Sequence, residues 1–103
     1  MKFRKRLLEM IKEGEGSIPH MYLDTRGYVT VGVGQMLPSA ERAMELEFVE
    51  RANQAPADGG AVRNDYESVK SQEPGRAAGN YKRFTKLDLP EDKIDELLER
   101  QVW

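Results

Sequence analysis

The stretch from Met21 to Gly34 most constrains the fold, because its hydrophobic period differs from that of the chain on either side. Residues 21–23 and 28–31 are short runs rich in aromatic and β-branched side chains, which is typical of strands. Residues 24–27 lie between them and end in Gly27, which supplies the positive φ that a tight turn needs. The pattern predicts a β-hairpin.

Helical patterns surround this hairpin. Ser39 is a predicted N-cap, and Asp88 with Glu91 resembles a capping box around Pro90. Asn, Pro, Asp and Gly predict a loop over 53–60, and small polar residues predict irregular chain over 75–81. The predicted helices cover residues 3–12, 40–51 and 61–71, and a last helix follows Asp88 with Ile94, Leu97, Leu98 and Val102 on one face. The predicted class is therefore α+β, dominated by helix.

Composition narrows the available chemistry. The chain has 103 residues, 39% of them hydrophobic, and its net charge of −2 excludes the profile of a dedicated nucleic-acid binder. There is no cysteine, so disulfides, thiol catalysis and cysteine metal sites are excluded. The one histidine, His20, cannot form a histidine cluster, and we expect it at the surface or in a turn. Chemistry without metal or cofactor must then come from carboxylates, hydroxyls and backbone.

The N-terminal segment is basic but does not predict a targeting signal. Glu9 and Lys12 interrupt its apolar residues, whereas a signal peptide needs roughly 7–15 in a row. No run approaches the ~20 apolar residues of a membrane span. We therefore predict no membrane span, cytoplasmic synthesis without a signal peptide, and a solvated basic face on the first helix.

Two carboxylates and a hydroxyl form the candidate catalytic set. Glu15 follows the first predicted helix beside glycines, Asp24 begins the hairpin turn, and Thr30 lies on the returning strand. A hairpin brings Asp24 and Thr30 to one region, and two carboxylates can cleave a glycosidic bond by acid–base catalysis.

Each member of the set also has an ordinary structural explanation. Glu15 is then a solvated loop carboxylate, Asp24 a turn residue that accepts backbone N–H groups, and Thr30 a common strand residue. The Gly32-x-Gly34 pair is too short for a dinucleotide-binding fingerprint.

The joint pattern is more specific than its parts. About ten positions resemble the phage-type lysozymes, the muramidases of phage endolysins and related bacterial toxins, in both residue type and spacing. The matching positions are Glu15, Gly16, Tyr22, Asp24, Thr25, Gly27, Tyr28, Thr30, Gly32 and Gly34.

The resemblance implies a role for each site residue. Glu15 would be the general acid, Asp24 the second carboxylate, and Thr30 the residue that helps to place the attacking water. Tyr22, Gly32 and Gln35 would border the substrate. Gln35 stands where many family members carry a histidine that packs and forms an ion pair, so this departure concerns local stability more than chemistry.

The resemblance also implies a domain plan. One lysozyme-like domain would span 1–103, with a catalytic lobe at 1–52 that carries hairpin 21–34. Residues 53–82 would be an insertion or linker, and 83–103 would begin the helical second lobe, the rest of which is absent. The uncapped end at Trp103 predicts a truncated second lobe.

The implied function is hydrolysis of the β-1,4 bond between N-acetylmuramic acid and N-acetylglucosamine in peptidoglycan, usually with inversion. It needs no cofactor, and a holin or a secretion system would deliver the enzyme to the cell wall. Two alternatives remain open: a non-catalytic module that binds a glycan or a partner on the same scaffold, and a helical adaptor that uses the apolar face from Ile94 to Val102.

Overall fold

The computed structural model describes the backbone over residues 2–102 and the side chains over residues 5–100. Within that range the chain has five helices and two small antiparallel sheets, which is an α+β architecture. The elements are α1 (Lys2–Glu15), β1 (Ile18–Leu23), β2 (Val29–Gly32), β3 (Gln35–Met36), α2 (Ala40–Met44), β4 (Val49–Glu50), α3 (Gly59–Lys70), a 3₁₀ helix (Ala78–Phe84), β5 (Leu87–Asp88) and α4 (Glu91–Val102).

The predicted hairpin is confirmed. β1 pairs with β2, β2 pairs with β3, and Thr30 lies opposite Tyr22 in the first pair. The register shifts between Ile18 and Tyr22, so β1 contains a bulge there. The turn closes where Gly27 donates its N–H to the carbonyl of Asp24, and Gly27 has the predicted positive φ of 86°.

One hydrophobic core joins the hairpin to the helices. Met21, Leu23, Val29 and Val31 contribute its hairpin side and are all at most 3% exposed. The segment 53–82 contributes to the same core through α3 and the 3₁₀ helix, with Val62, Tyr66, Val69 and Tyr81 as its buried members.

The predicted helix over 40–51 is wrong beyond its first turns. Ser39 caps α2 as expected, but α2 ends at Met44, and Val49–Glu50 forms β4 instead. β4 pairs with β5 across a long sequence separation, and this pairing satisfies backbone groups that a longer helix would have used internally. Tertiary pairing therefore overrides the helical pattern here.

Arg51 explains why this strand pair is stable. Its guanidinium group donates to the Asp88 carboxylate at 2.9 Å, to the Thr85 carbonyl at 3.0 Å and to the Leu87 carbonyl at 3.3 Å. Asp88 is thus occupied, and it is not the cap of α4, which begins at Glu91 after Pro90. The predicted capping box is therefore wrong.

The remaining helix predictions hold with shifted ends. α3 begins at Gly59 because Asp58 caps it by accepting the Ala61 N–H. The stretch predicted as irregular at 75–81 instead contains most of a 3₁₀ helix. None of the helices in residues 2–102 is long and apolar enough to cross a membrane.

The apolar face of α4 packs back onto the domain. Ile94 and Leu98 are 1% and 4% exposed, and Lys12 of α1 donates to Asp95 of α4 at 2.7 Å. This packing buries Ile94 and Leu98, two residues of the face that a helical adaptor would use. The predictions for the Phe3 and Val102 side chains, for Trp103 and for the basic cluster at 1–4 lie outside the described side chains.

α4 packs closely against the hairpin at Gly32. A Cβ on Gly32 would lie 3.2 Å from Cγ2 of Ile94, whereas a Cβ on Gly34 would meet nothing within 4 Å. Both glycines have φ of +67°, so both substitutions carry the same backbone strain.

We expect Gly34→Ala to lower the free energy of unfolding by about 1 kcal/mol through strain alone. Gly32→Ala should cost about 1 kcal/mol more, because Ile94 must also move. Urea unfolding of the two variants measures the difference. Equal losses would show that the contact between α4 and Gly32 does not constrain the packing.

Candidate active site

The hairpin brings three of the predicted site residues together. Thr30 of β2 lies directly opposite Tyr22 of β1. Asp24 follows Tyr22 by two positions, and alternate residues of an extended chain point to the same side. Asp24, Tyr22 and Thr30 therefore share one region at the turn end of the hairpin.

Asp24 stabilises the turn with one carboxylate oxygen and leaves the other available for a further hydrogen bond. Its Oδ1 accepts the N–H groups of Arg26 and Tyr28, each at 2.9 Å. This is the structural role that an aspartate at a turn predicts. Oδ2 of this half-buried carboxylate accepts no hydrogen bond from residues 5–100. The turn role and a chemical role are thus compatible.

Thr30 is buried at 3% exposure, and its Oγ1 donates to the Tyr28 carbonyl at 2.9 Å. The same carbonyl accepts the Asp24 N–H at 3.0 Å. Since its proton is committed, the Thr30 hydroxyl can act only as an acceptor toward a further molecule. A water molecule is a suitable donor to it.

The pKa of the Tyr22 hydroxyl depends on Asp24 in the hairpin turn and on Gly34 between β2 and β3. Burial raises the pKa of Tyr22, and the charge of Asp24 raises it further. The Gly34 backbone acts in the opposite direction on the same pKa by hydrogen bonding. Tyr22 therefore spans from Asp24 toward Gly34 along one side of the sheet.

Glu15 lies on a different element. It is the last residue of α1 and is exposed, and its carboxylate forms no hydrogen bond or ion pair with residues 5–100. Gly16 and Ser17 connect it to Ile18, which pairs with Gly32 at the end of the hairpin away from Asp24. The structure therefore does not bond Glu15 to Asp24 or Thr30.

The other two predicted substrate residues lie beside α4. Ile94 covers Gly32, which is buried. Gln35 is half-buried, and its amide donates to the Met36 carbonyl at 3.3 Å. The gap between these two residues and Leu97 and Leu98 is too narrow to hold a water molecule.

The prediction for His20 is wrong. His20 is in β1 and only 4% exposed, and its Nδ1 is 3.0 Å from the Met21 carbonyl, to which it donates. Burial lowers its pKa, and the nearby Arg51 charge also lowers it. The bulge in β1 breaks the strand alternation, so the sequence pattern offered no signal for this burial.

A buried carboxylate was also missed. Asp65 of α3 is 4% exposed and accepts the N–H groups of Lys86 and Leu87 at 3.1 and 3.0 Å. Burial raises its pKa, although these two backbone donors oppose that effect. An aspartate among apolar helix positions is the only signal that the sequence contains, and its partners lie more than twenty positions away.

Comparison with known proteins supplies no relative for this site. No family model, curated protein or solved structure matches the chain. The assignment of function therefore depends on the motif spacing and on the geometry described above.

The buried imidazole predicts a specific dependence of stability on pH. The pKa of His20 lies below its ordinary value of 6.5 in the folded state, so the unfolded chain binds the proton more readily. The stability that the neutral imidazole of His20 contributes is fully present above the unfolded pKa, and it is lost as the pH falls from that value through the lower folded pKa. We expect the urea concentration at the unfolding midpoint to decrease as the pH is lowered from about 7.5 to about 5.

His20→Gln should remove this part of the pH dependence, because glutamine does not titrate in that range. Subtracting the variant's pH profile from that of the parent also cancels the opposing contribution of Asp65, whose raised pKa favours folding as pH falls. Identical pH slopes for parent and variant would contradict the prediction.

Proposed function

We propose that the chain is a lysozyme-like glycoside hydrolase that cleaves the β-1,4 bond between N-acetylmuramic acid and N-acetylglucosamine in peptidoglycan. The observation that carries the proposal is the register of the hairpin: Thr30 lies opposite Tyr22, with Asp24 two positions beyond. This register, together with the Tyr28 carbonyl that bonds both Asp24 and Thr30, supports the carboxylate and hydroxyl of the lysozyme-like motif as a pair.

Asp24 and Thr30 are suited to position a water molecule. Oδ2 of Asp24 and the lone pairs of Thr30 Oγ1 are both acceptors. A water that donates one hydrogen to each presents its own lone pair to the anomeric carbon. Asp24, as the base, takes the proton as the water attacks, which is the chemistry of an inverting glycosidase.

Glu15 is the proposed general acid. Its carboxyl group would protonate the leaving oxygen on the face of the sugar opposite to the water. In the free chain it is exposed to solvent. A bound glycan would cover it, and removal of water disfavours the charged form of a carboxylate.

Delivery follows from the substrate. Peptidoglycan lies outside the cytoplasmic membrane, so a holin or a secretion system would bring the enzyme to it. This part of the proposal rests on the proposed substrate.

A non-catalytic glycan-binding module is the second candidate. The exposure of Glu15 and its lack of a partner among residues 5–100 favour it, since these features leave the acid on an open surface. On this alternative, Asp24 and Tyr22 would bind sugar hydroxyls and no bond would be cleaved. Activity and binding measurements on the same variants distinguish the two functions.

The first test is Glu15→Gln, which keeps the size of the side chain and removes the acid. We expect the rate of clearing of a peptidoglycan suspension to fall at least about 100-fold. Glu13→Gln is the matched control, because Glu13 is also an exposed glutamate near the end of α1. It should clear at the parental rate.

Co-sedimentation with peptidoglycan completes this test. The hydrolase requires that Glu15→Gln still sediments with the polymer while it fails to clear it. Clearing by Glu15→Gln at more than about a tenth of the parental rate would remove Glu15 from the acid role. Binding without clearing by the parent chain itself would favour the non-catalytic module.

The second test is Thr30→Val, which keeps the shape of a buried side chain and removes the hydroxyl. The Tyr28 carbonyl retains the Asp24 N–H as a donor, so the free energy of unfolding should fall by only about 1 kcal/mol. Turnover should fall at least about tenfold, because the water loses one acceptor. Parental turnover in a folded Thr30→Val variant would show that Thr30 does not place the water.

A further inference from the structure

A pocket between α3 and the segment 83–87 is lined by residues other than those of the proposed active site. It has a volume of about 450 Å³, and none of its lining residues belongs to β1, β2 or β3. Pockets that bind small ligands usually measure ~300–1,000 Å³. We call it the α3 pocket, and its wall comes from one stripe of α3, from residues 83–87 and from Glu50 of β4.

The polar side chains that line this pocket are largely unused by the fold. Asn64 and Ser68 are one turn apart on α3, and their side chains form no hydrogen bond with residues 5–100. Lys86 and Arg83 form no ion pair in that range, and the Arg83 guanidinium lies over the Phe84 ring, 5.0 Å from its centroid. These hydrogen-bond donors and acceptors thus line a cavity without forming hydrogen bonds or ion pairs to the rest of the described chain.

The charges of the α3 pocket are separated between its floor and its rim. Asp65 is buried at the floor and Glu50 is half-buried, whereas Arg83 and Lys86 are exposed. A complementary ligand therefore has a negative end at the rim and N–H donors toward the floor.

Asp65 has capacity for such a donor. Its two oxygens accept from the Lys86 and Leu87 backbone N–H groups, while a carboxylate offers about four lone-pair sites. Burial also raises the pKa of Asp65, so a further donor would stabilise a charge that is poorly solvated.

We propose that the α3 pocket binds the C-terminal end of a short peptide, with the terminal carboxylate at Arg83 and Lys86 and the amide N–H groups directed toward Asp65 and Glu50. Asn64 and Ser68 would bond the peptide amides, and Phe84 would contact a small apolar side chain. The single negative charge of a terminal carboxylate matches the two cations at the rim without adding further negative charge near the two carboxylates of the pocket. A phosphorylated ligand would bring more negative charge toward Asp65 and Glu50, and a neutral sugar would leave the cations unused.

This inference does not depend on the proposed hydrolase activity, because it involves different residues and a binding measurement. The probes are N-acetyl-alanyl-alanine and its C-terminal amide, titrated into the full chain and followed by backbone amide NMR shifts. We expect the acid to bind in the millimolar range or tighter and the amide to bind at least about tenfold more weakly. The shifts should centre on residues 61–68 and 83–87.

The double variant Arg83→Gln/Lys86→Gln should weaken binding of the acid at least about tenfold. Its matched control is Lys5→Gln/Arg6→Gln, which removes the same charge from exposed residues of α1 and should leave the affinity unchanged. Asn64→Ala should also weaken binding, and alanine at this exposed helical site favours folding.

Four results would overturn the proposal. They are equal affinity for the acid and the amide, equal losses in the two double variants, parental affinity in Asn64→Ala, and shifts that lie outside the α3 pocket. Inorganic phosphate that binds as tightly as the dipeptide would likewise reduce the site to a simple anion site and overturn the peptide assignment.

Discussion

The fork of hydrogen bonds from Arg51 to residues 85–88 fixes the segment on which the other elements converge. Arg51 ties β4 to this segment, and Asp65 of α3 ties it from a second side through the Lys86 and Leu87 N–H groups. One residue further on, the Leu89 N–H donates to the Pro19 carbonyl of β1. The chain then enters α4 at Glu91, so the position of α4 over Gly32 depends on this junction.

Local structure was predictable from the sequence, and long-range structure was not. The hairpin follows from residues within fourteen positions of one another, and the predicted cap at Ser39 acts over three residues. The end of α2, by contrast, is decided by β5, which lies more than forty positions away. Asp88 had the spacing of a helix cap, but Arg51, the residue after β4, competes for the same carboxylate. Asp88 does not cap the helix because its ion pair and hydrogen bonds with Arg51 stabilise the fold more than one capping hydrogen bond would.

The same distinction applies to the candidate sites. The relation of Asp24 to Thr30 is a hairpin property, so spacing alone predicted that they lie together. The position of Glu15 depends on how α1 meets α4 through Lys12, which no local pattern encodes. The α3 pocket has walls from two elements about twenty positions apart, and its residues have no motif spacing. The burial of His20 escaped prediction because a bulge removes the alternation from which burial is inferred.

The Tyr28 carbonyl, which accepts two hydrogen bonds, makes one part of the proposed active site more rigid than the other. The Tyr28 carbonyl receives both the Asp24 N–H and the Thr30 hydroxyl, so a single peptide group sets the spacing between those two residues. Glu15 has no such link, and its position varies with any movement of α1 against the hairpin. A tilt of α1 would therefore change the position of Glu15 relative to Asp24 and Thr30, while the spacing between those two residues stayed the same.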